Sequence, residues 1–177
     1  YWFSAQKKGY SGVGVITKLK PKEVRYGCGL EQADAEGRVL QLSFEQFDLI
    51  NTYFPSGSSG EGRQAYKMKF LEEYLHLVSS KLEEKNTNLI IAGDYNICHK
   101  AIDIHDPKGN KDSSGFLPEE REWFDRFFDT GMVDSFRTKN TEPHQYSWWS
   151  FRANARNNNK GWRIDYINVS TSLATFI

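Results

Sequence analysis

Apolar residues recur along the chain at two spacings, which predict strands and helices. Residues 38–44 and 47–54 alternate like β-strands on either side of Glu45 and Gln46, so they predict a hairpin. Residues 63–85 and 118–131 carry apolar side chains at helical spacing and predict amphipathic helices. Shorter β-type runs lie at residues 9–17, 24–30 and 146–151. A polar turn is predicted at residues 33–37 and a long loop at residues 100–117.

One continuous apolar run has the length and flanks of a buried strand. Residues 89–92 lie between Asn88 and Gly93, and Asp94 and Asn96 follow directly. These two side chains are two positions apart, so they project to the same side if the strand continues, and the pair can hold and orient a water. The same four residues, Gly-Asp-Tyr-Asn, are also typical of a simple turn after a core strand, and both interpretations stay open.

Composition limits the classes of protein that fit. The 177 residues suit one domain, 1–177, and 23 basic against 23 acidic side chains mean that a nucleic acid would need a local basic surface. Five Trp residues and an aromatic content of 15% favour a stacking surface or a large core. Cys28 and Cys98 have no metal-type spacing, and no apolar run approaches membrane-spanning length. We expect a soluble intracellular protein in a reducing compartment, with no membrane partner.

The last third of the chain mixes aromatic residues with Arg and Asn. Residues 146–151 read YSWWSF, residues 152–156 read RANAR, and residues 161–166 read GWRIDY. Such a mixture suits either an edge strand or a surface on which bases or sugars stack while Arg contacts phosphate, and the two readings are equally supported. Asp165 lies within an apolar run, where burial of a carboxylate predicts a partner. Arg63, where a Gly/Ser loop meets the first long helix, is either an exposed side chain or a phosphate contact.

Several of these segments, in this order, resemble one family. The chain resembles the exonuclease III branch of the apurinic/apyrimidinic endonucleases, within the endonuclease/exonuclease/phosphatase superfamily. The resemblance covers nearly the whole chain and rests on GYSGVGV, EGR (36–38), NTYFP, GDYN, IDIHDPKGN, GFLPEER, DSFR (134–137), YSWWSFRANAR and GWRIDY.

The resemblance implies roles for the matching residues. Asp94 would position or deprotonate the attacking water beside Asn96, Tyr53 would contact the scissile phosphate, and Asp165 would orient a catalytic histidine. Asp94 and Asn96 are also candidate metal ligands. The resemblance also implies substrate-binding residues. Trp148, Trp162 and Ile164 would form a pocket for a base-less sugar, with Asn154 and Arg156 beside it. Arg63 and Asn110 would contact the DNA backbone.

The family's fold and activity follow as expectations. The fold is a four-layer α/β sandwich of two mixed β-sheets with outer helices, incomplete at both ends. The activity is Mg²⁺-dependent hydrolysis of DNA 5′ to abasic sites, with Mn²⁺ as a substitute metal and a 3′–5′ exonuclease activity. The partner is double-stranded DNA with abasic sites or blocked 3′ ends, and the protein is a monomer in the cytoplasm (bacterial nucleoid) or the nucleus.

The sequence departs from the family pattern in several places. The family's metal-binding Glu and its Ser-Asp-His segment are not among these 177 residues, so the polypeptide alone is expected to be inactive. His76, His99, His105 and His144 lack that context and are expected on loops or helix surfaces. Ser56 and Ser59 replace an Asn and an Arg of some relatives. Two other functions remain: a lipid or inositol phosphodiesterase of the same superfamily, and a non-catalytic DNA- or protein-binding module.

Overall fold

A six-stranded mixed sheet is the main element of the computed structural model, which describes residues 1–84 and 87–177. Two short ladders of two strands each accompany it. The strands are β1 (Trp2–Ser4), β2 (Gly12–Gly14), β3 (Glu23–Tyr26), β4 (Val39–Ser43), β5 (Asp48–Tyr53), β6 (Leu89–Asp94), β7 (Met132–Asp134), β8 (Trp148–Trp149), β9 (Gly161–Trp162) and β10 (Asp165–Ser170).

In the described residues, two long and two short α-helices connect these strands. They are α1 (Glu31–Ala35), α2 (Glu61–Glu83), α3 (Pro118–Asp129) and α4 (Ser135–Lys139), with 3₁₀ turns at Ala101–Asp103 and Thr171–Phe176. No helix within the described ranges combines the length and apolar character needed to cross a bilayer.

The sheet order brings the ends of three strands together. The six strands are arranged β3-β4-β5-β6-β10-β7, and β5 and β6 are parallel because α2 crosses between them, whereas the other neighbouring pairs are antiparallel. The carboxyl ends of β5 and β6 therefore lie at the same edge, and β10 begins at that edge from the opposite direction.

The core lies mainly on one face of the sheet. Helices α2 and α3 pack there, and their fully buried rings and aliphatic side chains meet the strand residues that alternate toward them. The contributors from the helices are Phe70, Leu71, Tyr74, Val78, Trp123, Phe124 and Phe127. The β1–β2 ladder covers part of the opposite face, where Val13 and Val15 pack on Leu40 and Leu42.

The predicted α/β class is confirmed, and so are the main elements. The hairpin closes at Glu45 and Gln46, with the backbone N–H of Phe44 donating to the carbonyl of Phe47 at 2.9 Å. Both amphipathic helices form, and the strand predicted at residues 89–92 extends to Asp94. The end of the first predicted helix, residue 85, lies outside the described residues. Of the two predicted sheets, one is large and mixed, and the other face carries only the short β1–β2 ladder in the described ranges.

Two local predictions were wrong, and one residue has an unexpected environment. The polar turn at 33–37 is largely helix α1, because Asp34 accepts the backbone N–H groups of Cys28 and Gly29 and Ala33 is buried. The strand predicted at 146–151 is reduced to Trp148–Trp149, because the partner that it finds among the described residues is the two-residue strand Gly161–Trp162. His99 lies on a loop, as expected, but it is only 8% exposed, because its ring packs on Phe124 and Phe128.

Candidate active site

The turn at the end of β6 holds Asp94 and Asn96 in a defined geometry. The backbone N–H of Asn96 donates to Asp94 Oδ1 at 2.7 Å, and Asn96 Nδ2 donates to Asp94 Oδ2 at 3.2 Å and to the Phe54 carbonyl at 3.0 Å. Asn96 has a φ of 51°, in the left-handed region that Asn tolerates better than most residues. Because its amide N–H₂ points inward, the Asn96 amide oxygen is the atom available to a water or metal ion.

The strand registers place two further predicted residues beside Asp94. Tyr53 is the register partner of Asp94 in the parallel pairing of β5 with β6, and Asp165 is its partner in the antiparallel pairing of β10 with β6. Register partners in a sheet share a face, so the three side chains stand in a row across three strands. Sequence analysis predicted all three residues, and the structure brings them together.

The environment of Asp165 differs from the prediction. Burial of this carboxylate was expected, yet Asp165 is exposed, as is Ile167, whereas Tyr166 and Asn168 between and beyond them are buried. The alternation of β10 turns Asp165 to the face opposite the helices, where the sheet is open next to β6. Its backbone N–H donates to Ser147 Oγ at 3.1 Å, which fixes the start of β10.

Burial makes the ionised form of Asp94 unfavourable. It raises the pKa of Asp94 to about 7; the backbone N–H of Asn96 opposes this rise, and the charge of Asp165 adds to it. Burial also raises the pKa of the Tyr53 hydroxyl, and the nearby Asp94 charge acts in the same direction. The negative charges of this row are therefore unfavourable by themselves, and a bound cation would stabilise the ionised form of Asp94.

The donor set at this position fits a hard divalent cation in part. Asp94 and Asn96 supply a carboxylate and an amide oxygen, with a second carboxylate from Asp165 nearby, and Mg²⁺ characteristically takes one or two carboxylates and keeps several waters. Within residues 1–84 and 87–177, no group of three or more His, Cys, Asp or Glu side chains forms a metal cluster. The described residues therefore offer only part of the donor set that such a cation would need.

Arginine side chains surround Tyr53 on the side away from Asp165. The Arg38 guanidinium lies 4.9 Å from the centre of the Tyr53 ring, and its Nη1 donates to the Tyr53 carbonyl at 2.8 Å. Glu36 accepts from Arg38 at 2.5 Å and from Arg63 at 2.8 Å. Burial alone would raise the pKa of Glu36, but these two arginines lower it. Arg63, predicted as a contact to the DNA backbone, thus lies close to the site, and its positive charge is paired with Glu36.

A cavity of about 220 Å³ opens between these groups and the N-terminal loop. Its lining combines hydroxyl groups with the two arginines: Gly9, Tyr10, Ser11, Arg38, Tyr53, Ser56, Ser59 and Arg63. Hydroxyl and guanidinium groups are donors to phosphate oxygens, so the chemistry of this lining suits an anionic group next to Tyr53.

The predicted pocket residues lie on the other side of Asp94. Ile164 is buried with Cys98, Ile104 and Phe116, and Trp162 packs against this cluster. Trp148 meets Trp162 edge to face, with ring centres 6.4 Å apart, and is 42% exposed. These three side chains form an apolar wall, and Ile164 at its inner end directly precedes Asp165 in the chain.

Asn154 and Arg156 lie at the outer end of this wall. A groove of about 360 Å³ brings both of them together with Trp148 and Trp149, and the Arg156 guanidinium lies 5.4 Å from the centre of the Trp149 ring. Asn110 belongs to the long loop, where its Nδ2 donates to the carbonyls of His105 and Asp106 at 3.0 Å. The described geometry of Asn110 is thus that of a loop-stabilising residue near the site.

Sequence analysis missed the charged residues buried beneath the site. Lys67 and Glu120 form a buried ion pair, and Lys67 Nζ donates to the Asn96 carbonyl at 2.9 Å. Asp103 is also buried and binds Arg137 and Arg163. A signal for Lys67 was present, because it precedes Leu71 by one helical turn, on the apolar stripe of α2.

Comparisons with known proteins agree on the family. The profile described as "Endonuclease/Exonuclease/phosphatase family" matches residues 1–176. The chain is 45% identical to the exodeoxyribonuclease of Bacillus subtilis over 98% of its length, and 39% identical to the DNA-(apurinic or apyrimidinic site) endonuclease of Dictyostelium discoideum over 98%. It spans 68% of the first relative and 48% of the second.

A solved structure gives the same result for the fold. The 3′-5′ exonuclease NExo from Neisseria meningitidis superposes with a TM-score of 0.83 at 26% identity. The superposition covers 90% of this chain and 62% of that one, so the solved protein is substantially longer.

Proposed function

Because the chain belongs to the endonuclease/exonuclease/phosphatase family, we propose that it forms the central part of a DNA repair nuclease that hydrolyses phosphodiester bonds 5′ to abasic sites. The observation that carries the proposal is the register of β5, β6 and β10, which aligns Tyr53, Asp94 and Asp165 in one row. The exodeoxyribonuclease and endonuclease names of the two relatives support the choice of DNA as substrate. Exonuclease activity from 3′ ends, including blocked ends, is a companion activity of the same site.

Each residue of the row has a chemical task in this proposal. Asp94 accepts a proton from the attacking water or orients it, and the Asn96 amide holds that water in line. Tyr53 donates its hydroxyl to a phosphate oxygen, and the exposed Asp165 carboxylate orients an imidazole of the longer protein. A divalent metal, Mg²⁺ in this proposal with Mn²⁺ as a substitute, supplies charge stabilisation when it is bound next to Asp94 and Asn96.

Specificity for abasic sites rests on the apolar wall. A nucleotide without a base loses less stacking and pairing energy when it turns out of the duplex. Trp148, Trp162 and Ile164 offer rings and an aliphatic surface to a base-less sugar, while Asn154 and Arg156 lie where the flanking backbone would pass. A tight wall of this kind excludes an intact nucleotide by size.

The decisive experiment compares substrates and one variant of the full-length protein. Incision of a duplex with one abasic site is measured against an intact duplex and a phospholipid headgroup substrate, with Mg²⁺ present. We expect incision of the abasic duplex, and we expect Asp94→Asn to lower kcat by roughly two to three orders of magnitude while DNA binding is retained. The exposed Asp129 at the end of α3 is the matched control, and Asp129→Asn is expected to keep parental activity.

Other results of that experiment point to other functions. Turnover of the headgroup substrate without incision would assign the protein to the lipid or inositol phosphodiesterases of the superfamily. Metal-independent DNA binding with no turnover of any substrate would indicate a binding module. Near-parental activity of Asp94→Asn would remove Asp94 from its assigned role.

The 177-residue polypeptide by itself is proposed to be inactive or nearly so. Among the described residues, the row offers only Asp94, Asn96 and Asp165 as oxygen ligands, and no imidazole lies in the row with Asp165. Robust Mg²⁺-dependent incision by the isolated polypeptide would refute this. Sedimentation of the full-length protein tests the further expectation that it is a monomer.

A further inference from the structure

Lys67 occupies an unusual position for a lysine. It lies on the buried side of α2, and its side chain and that of Glu120 on α3 are both 0% exposed. Its Nζ donates to Glu120 Oε1 at 2.6 Å and to the Asn96 carbonyl at 2.9 Å. The ammonium group therefore joins a carboxylate of the scaffold to the backbone of the turn that carries Asp94 and Asn96.

Glu120 extends this connection to the segment before α3. Its Oε1 also accepts from Gln64 at 3.0 Å, and its Oε2 accepts the backbone N–H groups of Gly115 at 2.6 Å and Leu117 at 3.0 Å. Gly115 in turn accepts from the backbone N–H of Cys98 at 2.7 Å. One carboxylate thus holds this turn at two points, at the Asn96 carbonyl through Lys67 and at the Cys98 N–H through Gly115.

A buried ion pair is a weak choice for stability alone. Desolvation of two charges offsets most of their attraction, and apolar residues of similar volume are often as stable or more so. The pair does something that apolar residues cannot do, because only a donor can bind the Asn96 carbonyl. That carbonyl belongs to a residue with a φ of 51°, a conformation that persists in a non-glycine residue when its surroundings hold it.

We propose that Lys67 is the positioning residue of the Asp94–Asn96 turn, with Glu120 as the group that holds the Lys67 ammonium in place. By fixing the Asn96 carbonyl, Lys67 fixes the Asn96 backbone N–H on Asp94 Oδ1 and the direction of the Asn96 amide. Lys67 contacts neither substrate nor metal, so it acts through Asn96 and Asp94. The proposal deepens the proposed function and rests on it for its effect on turnover, but not for its effect on the turn.

The test uses two nearly isosteric double variants of the full-length protein. Lys67→Met/Glu120→Gln removes both charges and the donor, whereas Lys67→Gln/Glu120→Gln removes both charges and keeps an amide donor for the Asn96 carbonyl. We expect the Met variant to lower kcat by about 10- to 100-fold with KM within about threefold, because small misplacement of catalytic groups is costly. The Gln variant is expected to recover most of kcat. Equal kcat for the two variants would overturn the proposal.

A surface ion pair between the same helices is the matched control. Arg126 on α3 binds Glu72 on α2, far from the turn, so Arg126→Met removes a link between the helices and leaves Asn96 untouched. We expect its kcat within twofold of the parent. A loss equal to that of the Met variant would show that any loosening of the two helices suffices, and would overturn the proposal.

Hydrogen exchange tests the turn without any nuclease assay. The Asn96 amide proton is bonded to Asp94 Oδ1, so its protection reports the geometry of the turn. We expect about tenfold faster exchange in the Met variant and little change in the Gln variant; equal exchange in both would overturn the proposal. If the parent shows no nuclease activity, the proposed function fails while this measurement still decides the role of Lys67.

A single variant covers the case in which the Met variant does not fold. Glu120→Gln keeps one side-chain oxygen, which can still accept from Lys67 and hold its ammonium beside the Asn96 carbonyl, but it replaces the oxygen that accepts from Gly115 and Leu117. We expect faster exchange at those two amides with the Asn96 amide still protected. Loss of protection at Asn96 in this variant would overturn the assignment to Lys67.

Discussion

Asp94, the proposed catalytic carboxylate, occupies a position that is unfavourable for stability. Burial raises its pKa to about 7, with a contribution from Asp165, whereas an unfolded Asp titrates near pH 4. A raised pKa in the folded state means that folding takes up a proton between these values. The contribution of the protonated Asp94 to the free energy of unfolding is therefore fully present below about pH 4 and is lost as the pH rises through about 7.

Asp94→Asn is therefore expected to stabilise the folded protein at high pH. Urea unfolding in metal-free buffer at pH 5 and pH 8 measures the difference in free energy of unfolding between variant and parent. We expect that difference to favour the variant more at pH 8, by on the order of 2 kcal/mol. Asp112→Asn, at an exposed loop position, is the control and should show no such trend. A difference that does not change with pH would contradict the raised pKa of Asp94.

Gly93 determines how closely β6 approaches β5 beside the site. Its φ is 146°, and a Cβ atom there would lie 1.8 Å from the Thr52 carbonyl oxygen. Gly93→Ala is expected to destabilise the fold by roughly 3 kcal/mol, because both the backbone conformation and the contact become unfavourable. Thermal or urea unfolding measures this change.

Gly62 in α2 provides the opposite case for comparison. A Cβ atom at Gly62 meets nothing within 4 Å, so Gly62→Ala is expected to stabilise the helix by about 0.5–1 kcal/mol. If both substitutions changed stability equally, the close approach of the strands at Gly93 would not be the cause.

At the residue scale, the sequence predicted identities better than environments. Asp94, Asn96 and Tyr53 could be found because they lie at or just after strand ends and match family motifs. The exposure of Asp165 could not be found, since it depends on which face of β10 is covered. The burial of Lys67 was likewise decided by packing between two helices that are distant in sequence.

Asp103 connects elements that sequence analysis treated separately. It accepts from Arg137 Nη2 and Arg163 Nε, both at 2.8 Å, and Arg163 Nη2 reaches Asp134 at 2.7 Å. These bonds join the 3₁₀ turn, α4 and the segment between β9 and β10 that leads to Ile164. Burial alone would raise the pKa of Asp103, but its bonds to Arg163 and Arg137 hold that pKa below its usual value.

Asp103→Asn is expected to destabilise the fold by about 3–5 kcal/mol, because it leaves two arginines without their buried counter-charge. Because its pKa is lowered, the ionised Asp103 contributes to the free energy of unfolding above about pH 4, and this contribution is lost as the pH falls below that value. The destabilisation caused by Asp103→Asn should therefore be smaller in acid. Urea unfolding at pH 7 and pH 3 measures both effects. Exposed Asp112→Asn should stay within about 0.5 kcal/mol, and a similar value for Asp103→Asn would exclude a structural role.

At the element scale, long periodic segments were predictable and short ones were not. Helices α2 and α3 and the β4–β5 hairpin have enough repeats for the period to be unambiguous. The strand expected at 146–151 failed because its alternation comes from aromatic side chains of a loop, and only a two-residue ladder forms there within the part of the chain that the structure describes. Helix α1 depends on the Asp34 carboxylate, which accepts backbone N–H groups that precede the helix. The spacing of apolar residues gives no sign of such a contact.

For the whole molecule, a net charge of zero means that the proposed DNA binding would depend on local arginines and lysines. Arg156 lies over the Trp149 ring in the groove that contains Trp148 and Asn154. In the full-length protein, Arg156→Gln is expected to weaken DNA binding and to reduce the slope of log affinity against log salt by about one. Binding titrations at several salt concentrations measure the slope.

Arg126→Gln is the control for that measurement, because Arg126 is also an exposed arginine but binds Glu72 between α2 and α3. It should leave the slope unchanged. Equal slopes for Arg156→Gln and the parent would place the phosphate path elsewhere on the molecule.

The pairing of β10 with β6 also has a consequence for the kinetics of folding. Asp94 and Asp165 are far apart in sequence, and they meet only when the last strand docks onto the sheet. The repulsion between their charges is therefore absent from a transition state in which β10 is still undocked. In that case the two carboxylates accelerate unfolding and leave the folding rate almost unchanged, so the site limits the lifetime of the native state.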